Sequence, residues 1–320
     1  MTTYKEIFGK QVKNYSSDPA NNAEGQVWYN STSGTFKSVL ATGAWASGTS
    51  MNIARRVGGG AGTQTSALVF AGAGPSPTKL SSSEEWSGSS WTSGGAMGTA
   101  RYFLGSCGTQ TAALGFAGYN GGNKFEVEEY NGSAWSEVNN IPYSIRDLKG
   151  FGIQTAAVAA GGYSGTAVVA TTTNYDGTNW TSSGNMATAR SALAASGTQT
   201  AGLISGGQSP PNTTATEEYD GSSWTTGGNL SSARSQVSMV GLQTASLIFG
   251  GSPGTLTLTE EYDGTSWKVK STLGTARKDI QSAGLSTSAL AAGGTNGPTT
   301  FSTTENFNVT LATKTLTSSW

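Results

Sequence analysis

Residues 189–224 read ARSALAASGTQTAGLISGGQSPPNTTATEEYDGSSW. The stretch divides into four short extended runs separated by turns that are rich in glycine and other turn residues. Asp220 and Gly221 lie between two of these runs. An Asp-Gly pair in that place is the strongest short signal for a β-hairpin, because both of its residues tolerate a positive φ. The stretch therefore predicts four short antiparallel strands, with a double glycine after the second.

One tryptophan and one arginine recur in step with this pattern. The tryptophans are Trp45, Trp91, Trp135, Trp180, Trp224 and Trp267, and the arginines are Arg55, Arg101, Arg146, Arg190, Arg234 and Arg277. Successive tryptophans are 43 to 46 residues apart, and the arginine follows 10 residues after the tryptophan except in the third copy, where the distance is 11. Four short strands in a unit of this length are typical of a propeller blade, so six copies predict a six-bladed β-propeller.

The features that repeat also resemble a known family. The copies share an arginine after the linker, Gly-Gly or Ala-Gly after the second strand, and Glu-Glu-Tyr or a variant of it on the third strand. A tryptophan opens the fourth strand in all copies but the last. Together they resemble the kelch repeat over residues 45–307. The resemblance implies an all-β fold of four-stranded blades. It indicates little about function, because kelch-like propellers serve enzymes, adaptors and structural proteins alike.

The repeats are out of phase with the ends of the chain, which bears on how the ring closes. Trp45 opens a fourth strand that precedes the first arginine, whereas the last copy has no tryptophan after its third strand. We expect the strand containing Trp45 to join the C-terminal blade and close the ring. The segment Lys314–Trp320 is the alternative closing strand. The predicted organisation is residues 1–40 as an N-terminal arm and hairpin, and residues 41–320 as the propeller.

Composition excludes several classes of function. The net charge is −1 and the pI is about 5.6, with no long basic run, so a nucleic-acid-binding surface is not expected. The chain has no histidine and one cysteine, which removes the commonest general base and metal ligand and any internal disulfide. No signal peptide and no 18-residue apolar stretch is found, so membrane insertion is not expected. We expect no cofactor and no enzymatic activity.

Several repeated residues could carry chemistry but are better interpreted as parts of the frame. The tryptophans could stack on sugars, and the arginines could bind an anion. Their regular recurrence instead favours packing between blades and pairing with the glutamate of the third strand. Glu217 and Glu218 cannot act as an acid–base pair on one bond, because adjacent strand residues point to opposite faces. The aspartates of the Asp-Gly pairs supply one carboxylate each, which suits a turn better than a calcium site. Cys107 lies in an apolar run and is expected to be a buried thiol.

Length and sequence vary mainly in the loop between the second and third strands. By strand alternation this loop shares one face of the disc with the linker between blades, and loops on a rigid scaffold often bind ligands. The candidate binding residues on this face are Lys79, Tyr119, Asn123, Lys124, Tyr163, Gln208, Asn212 and Asn296.

The first forty residues differ from the repeats. Gly25-Gln-Val-Trp-Tyr-Asn30 and a second extended run ending at Lys37 flank a polar turn, which predicts a hairpin. This segment resembles the N-terminal segment of virion structural proteins in tailed phages of marine bacteria. The resemblance implies a virion protein made in the host cytoplasm. It also implies that the arm contacts other virion proteins and that the propeller is displayed for assembly or for binding a host-surface glycan or receptor. A homo-oligomer is compatible with this role, and the alternative function is that of a carbohydrate-binding propeller lectin.

Overall fold

The structure, a computed structural model, describes residues 12–20, 23–76 and 78–316. The chain forms two compact units. One draws on Met1–Ala44 and Asn308–Trp320, and the other is Trp45–Phe307. Of the described residues, 308–316, which the predicted organisation groups with the propeller, group with the N-terminal segment instead. The reason is that the last strand continues beyond the final blade.

The described residues form 26 strands and no helix. In chain order they are β1 (Lys13–Tyr15), β2 (Val27–Asn30), β3 (Thr35–Gly48), β4 (Gly59–Gly62), β5 (Ala67–Phe70), β6 (Ser83–Trp86), β7 (Trp91–Gly94), β8 (Gly105–Gly108), β9 (Ala113–Phe116), β10 (Val127–Tyr130), β11 (Trp135–Val138), β12 (Lys149–Ile153), β13 (Ala156–Ala160), β14 (Thr172–Tyr175), β15 (Trp180–Ser182), β16 (Ala194–Thr198), β17 (Ala201–Ser205), β18 (Thr216–Tyr219), β19 (Trp224–Thr226), β20 (Ser238–Leu242), β21 (Ala245–Phe249), β22 (Thr259–Tyr262), β23 (Trp267–Val269), β24 (Gln281–Leu285), β25 (Ser288–Ala292) and β26 (Thr304–Thr315). Across the described residues, nothing helical is long and apolar enough to cross a membrane.

The propeller unit is built from six antiparallel blades of four strands. Strands β4 to β23 form the first five blades in sequence order, and the sixth contains β24, β25, β26 and β3. The innermost strands, β4, β8, β12, β16, β20 and β24, contact one another in a closed cycle. The fold is therefore the predicted all-β six-bladed propeller.

The sixth blade takes its outer strand from the N-terminal side, as predicted. The part of β3 that begins at Trp45 pairs with β26. The indole N–H of Trp45 donates to Thr259 Oγ1 of the fifth blade at 3.1 Å, and its ring lies 4.9 Å from that of Phe249. Trp224 makes the equivalent bond to the blade before it, donating to Thr172 Oγ1 at 2.9 Å. Trp45 thus occupies the same position as the other repeated tryptophans, whose packing between blades confirms their structural interpretation.

The Gly-x-Gln-Thr turns fasten neighbouring blades together. In each complete copy the glutamine amide donates to two main-chain oxygens of the preceding blade, at the points where its second and third strands meet. Gln154, for example, donates to the carbonyls of Ala113 and Tyr130 at 3.0 and 2.8 Å. Gln64 does the same across the closure, to Ala289 and Phe307. Each glutamine thus adds two hydrogen bonds between neighbouring blades, to carbonyls at the ends of the strands.

The first unit contains the predicted hairpin. Strands β2 and β3 pair antiparallel, with Asn30 opposite Thr35. Strand β1, in the segment expected to be an arm, pairs parallel with β2. Trp28 is fully buried, and its indole N–H donates to Asp18 at 3.1 Å. Asn30 also donates to Asp18, and this hydrogen bond is the main cause that lowers the pKa of that carboxyl.

Candidate functional site

Five of the repeated arginines are buried in ion pairs inside their own blades. Each donates to the first glutamate of the third strand, at distances of 2.7 to 2.9 Å. The pairs are Arg55–Glu84, Arg101–Glu128, Arg190–Glu217, Arg234–Glu260 and Arg277–Glu305. The same guanidinium groups bond main-chain oxygens, as Arg101 does to Glu126 at 3.0 Å. Burial lowers the pKa of Arg234 to about 10, which still leaves the group charged at neutral pH. These arginines therefore belong to the frame, as the sequence indicated.

The second glutamate of the Glu-Glu-Tyr segment is also part of the frame. Tyr130 donates to Glu85 of the preceding blade at 2.5 Å, and Tyr262 donates to Glu218 at 2.6 Å. Burial and the bond to Glu85 raise the pKa of Tyr130 to about 12. The two carboxylates of one segment thus serve two separate structural contacts.

The Asp-Gly pairs are turns, as expected. Asp220 Oδ1 accepts the main-chain N–H groups of Ser222 and Ser223 at 2.8 and 2.7 Å, and Gly221 has a φ of 101°. Cys107 is buried, and burial raises the pKa of its thiol to about 12, so it is not a thiolate at neutral pH. Within residues 12–20, 23–76 and 78–316, no three side chains of the metal-ligating acidic, cysteine or histidine type come together.

Arg146 is not equivalent to the other repeated arginines, and its assignment to that series was wrong. Ile145 and Thr173, both buried, take the two places that an arginine and a glutamate fill in the other blades. Arg146 lies one residue later and is only half-buried. Its guanidinium carbon lies 4.6 Å from the ring centre of Tyr119 and 4.9 Å from that of Tyr163. The 11-residue spacing and the missing glutamate were the available signals of this difference.

A ring of main-chain hydrogen bonds surrounds one mouth of the central channel. Its members, here called the mouth ring, are one residue from each linker, all with a positive φ between 49° and 59°: Val57, Phe103, Asp147, Ala192, Gln236 and Asp279. The N–H of each donates to the carbonyl of the member in the preceding blade. The bond from Val57 to Asp279, at 3.1 Å, completes the cycle. The mouth ring therefore fixes six side chains around a single opening.

The loops between the second and third strands lie on the face of this mouth, as expected. The residue just before each mouth-ring member pairs with the first residue of that loop. The pairs are Arg56–Ala73, Tyr102–Tyr119, Arg146–Tyr163, Ser191–Gln208, Ser235–Ser252 and Lys278–Thr295. The face is therefore built from linkers and loops held in register.

The eight candidate residues of the loops have different surroundings. Three tie their loop to a main-chain oxygen of the next one: Lys79 to Asn120, Asn123 to Tyr163 at 3.0 Å, and Asn212 to Ser252 at 3.2 Å. Lys124 pairs with Glu126 at 3.2 Å, Asn296 accepts the N–H of Thr299 within its own turn, and Gln208 is exposed. The structure brings together Tyr119 and Tyr163, through the Arg146 guanidinium between them.

A cavity of about 280 Å³ opens beside the mouth ring, and the sequence did not predict it. This cavity, here called the bowl, is lined by Arg56, Tyr102, Phe103, Gln236, Lys278 and Asp279, with smaller residues between them. Lys278 Nζ donates to Gln236 Oε1 at 3.0 Å, and the Gln236 amide donates to both carboxylate oxygens of Asp279 at 3.2 Å. The bowl is thus a small polar cavity with a fixed hydrogen-bond network on one side.

Below the mouth ring, Lys149 lies in the channel with Asp147 and Asp279. Burial raises the pKa of Asp147 to about 6, and the nearby charge of Asp279 adds to the effect. Burial also raises the pKa of Asp279 and lowers that of Lys149. The channel therefore holds charged groups whose ionisation is disfavoured by their surroundings.

Comparison with known proteins supports the fold. No protein-family model and no curated protein matches the chain. Among solved structures, one titled "Structure of YjhT" superposes with a TM-score of 0.69 at 15% sequence identity, covering 83% of this chain and 99% of that one. At this identity the likeness shows a kelch-like β-propeller and leaves the activity undetermined.

Proposed function

We propose that the protein is a non-enzymatic structural component of a tailed-phage particle that displays its propeller for assembly or host-surface attachment. The observation that carries this proposal is the separate first unit, because the segment that resembles virion proteins lies there. Its hairpin of β2 and β3 is held by a buried tryptophan, Trp28, and by the bonds to Asp18. In this function the first unit contacts other virion proteins, and the propeller faces outward.

The non-enzymatic part of the proposal is supported by how the repeated charged groups are used. The buried arginines are paired with the first glutamates, and the second glutamates accept bonds from tyrosines. Groups bound in this way are not free to donate and accept protons on a substrate. The face of the propeller that carries the mouth ring, here called the mouth face, and the bowl in it are then the parts available for binding.

Mass spectrometry of gradient-purified particles tests the virion role. We expect the chain to co-purify with the major capsid and tail proteins at a constant ratio through successive gradients. Deletion of residues 1–40 is expected to remove it from particles while the truncated chain stays soluble in the lysate. A full-length chain that is abundant in infected cells but absent from particles would contradict the proposal.

A carbohydrate-binding lectin is the second candidate, and the bowl favours it specifically. Aromatic rings and hydrogen-bonding side chains around a small cavity are the usual components of a sugar site. A glycan array probed with the purified protein tests this candidate. Uniformly flat signals at high protein concentration would count against it.

A further inference from the structure

The positive charges of the propeller unit are distributed unevenly between paired and unpaired groups. Eight of its lysines and arginines form ion pairs with carboxylates. The others, which have no ion pair within the described residues, are Arg56, Lys79, Arg146, Lys149 and Lys278. All five lie on the mouth face or in the channel below it. Two carboxyl groups, Asp147 and Asp279, lie among these five cations and offset their charge only in part.

Two of these cations line the bowl. The Arg56 guanidinium makes no hydrogen bond to any described residue, and Lys278 bonds only the neutral amide oxygen of Gln236. Both side chains are half-buried, so their charges are less well solvated than those of exposed lysines. Unused donors in a partly desolvated cavity favour an anionic ligand, because charge-assisted hydrogen bonds are the strong ones.

The remaining lining residues restrict which anion fits. The carboxyl group of Asp279 accepts hydrogen bonds from hydroxyl groups, and when ionised it repels a doubly charged phosphate. Tyr102 and Phe103 supply ring surfaces for an apolar sugar face. The bowl, at about 280 Å³, lies near the lower limit of small-molecule sites, about 300 Å³. A single sugar ring that carries one carboxylate meets all three requirements.

Aromatic side chains next to the bowl on the mouth face could contact further units of a polysaccharide ligand. The ring of Tyr102 lies 5.5 Å from that of Tyr119, and the Arg146 guanidinium contacts the Tyr119 ring. It also contacts the ring of Tyr163, so two aromatic rings hold the guanidinium before any ligand arrives. A side chain fixed in this way loses little entropy on binding.

We propose that the bowl binds a carboxylate-bearing sugar, with the carboxylate at Arg56 and Lys278 and the hydroxyls at Asp279 and Gln236, and that Arg146 binds the carboxylate of a neighbouring sugar unit. This inference rests on the binding role given to the propeller in the proposed function, and not on its location in a virion. The site would then recognise acidic polysaccharides rather than neutral ones.

Calorimetric titration of the full-length protein tests the proposal with four probes: galacturonate, trigalacturonate, galactose and inorganic phosphate. We expect saturable binding of galacturonate, tighter binding of trigalacturonate, and weaker or no binding of galactose and phosphate. Arg56→Gln and Lys278→Gln should each weaken galacturonate binding by at least about tenfold, since each removes a charge-assisted contact. Arg146→Gln should weaken only the trisaccharide.

Lys268→Gln is the matched control, because Lys268 is an exposed lysine outside the bowl, paired with Asp263 at 2.8 Å. It should leave binding unchanged, and circular dichroism should show all variants folded. Failure of both acidic probes to bind would overturn the proposal. So would galactose or phosphate binding as tightly as galacturonate, or Arg56→Gln behaving like the control. Particle mass spectrometry does not depend on these outcomes, so the two proposals can fail separately.

Discussion

Arg101 and its four equivalents each bury a guanidinium group against a carboxylate inside a blade. A buried ion pair is not in itself strongly stabilising, but removing one partner leaves an uncompensated charge. The third blade folds without the pair, because Ile145 and Thr173 replace both partners together. The third blade thus shows that an uncharged pair of residues can take the place of the buried ion pair.

This contrast predicts the effect of two variants. Arg101→Ala should lower the free energy of unfolding by about 3–5 kcal/mol, because Glu128 stays buried without its partner. The double variant Arg101→Ile with Glu128→Thr, which copies the third blade, should lose markedly less. Urea unfolding of the wild type and both variants measures the difference. If the double variant is as unstable as Arg101→Ala, the unpaired charge of Glu128 is not the cause of the destabilisation.

Asp147 gives a pH-dependent contribution. Its pKa in the folded protein is raised from 3.8 to about 6, so the folded state binds the proton more tightly than the unfolded state. Stability from this group is fully present below pH 4 and is lost as the pH rises to about 6. Asp147→Asn removes the titration. Its melting temperature relative to wild type should therefore be higher at pH 7 than at pH 4. A difference that is constant with pH, or that changes in the opposite direction, would contradict this.

The Gly-x-Gln-Thr turn acts at the scale of the strand pair. The turn could be predicted because it recurs in the sequence. The hydrogen bonds from its glutamine to the preceding blade could not be predicted, because the packing of the blades determines which carbonyls accept them. The same limit explains the error at Arg146. Periodicity assigned Arg146 to the series in spite of its 11-residue spacing, and the burial of Ile145 shows that the register differs by one residue.

Gln154→Ala tests the contribution of one such turn. The substitution removes two hydrogen bonds between blades, to the carbonyls of Ala113 and Tyr130, and each such bond contributes about 0.5–1.5 kcal/mol. We expect a loss of about 2 kcal/mol, measured by urea unfolding. Thr155→Ala is the control, because Thr155 is the next residue in the same turn and is exposed. If the two substitutions destabilise the protein equally, the hydrogen bonds of Gln154 do not stabilise the contact between blades.

At the scale of the propeller, the six blades and the closing strand at Trp45 follow from spacing alone, because the repeat period dictates a ring. The bowl does not follow from it. Arg56 and Lys278 are 222 residues apart in sequence and become neighbours only when the sixth blade meets the first. Their positions in the linkers look like ordinary variation between repeats. The residues that repeat therefore specify the frame, and the residues that break the repeat at the mouth are the ones available for binding.

The central claim is that repeated residues specify the fold and that residues outside the repeat pattern bind the ligand at the mouth. A crystal structure of the full-length protein soaked with galacturonate tests this claim most directly. We predict one sugar ring in the bowl, with its carboxylate within hydrogen-bond distance of Arg56 and Lys278 and the buried Arg–Glu pairs unchanged. A sugar bound instead against the repeated tryptophans, or an empty bowl in crystals that bind the sugar elsewhere, would contradict the account.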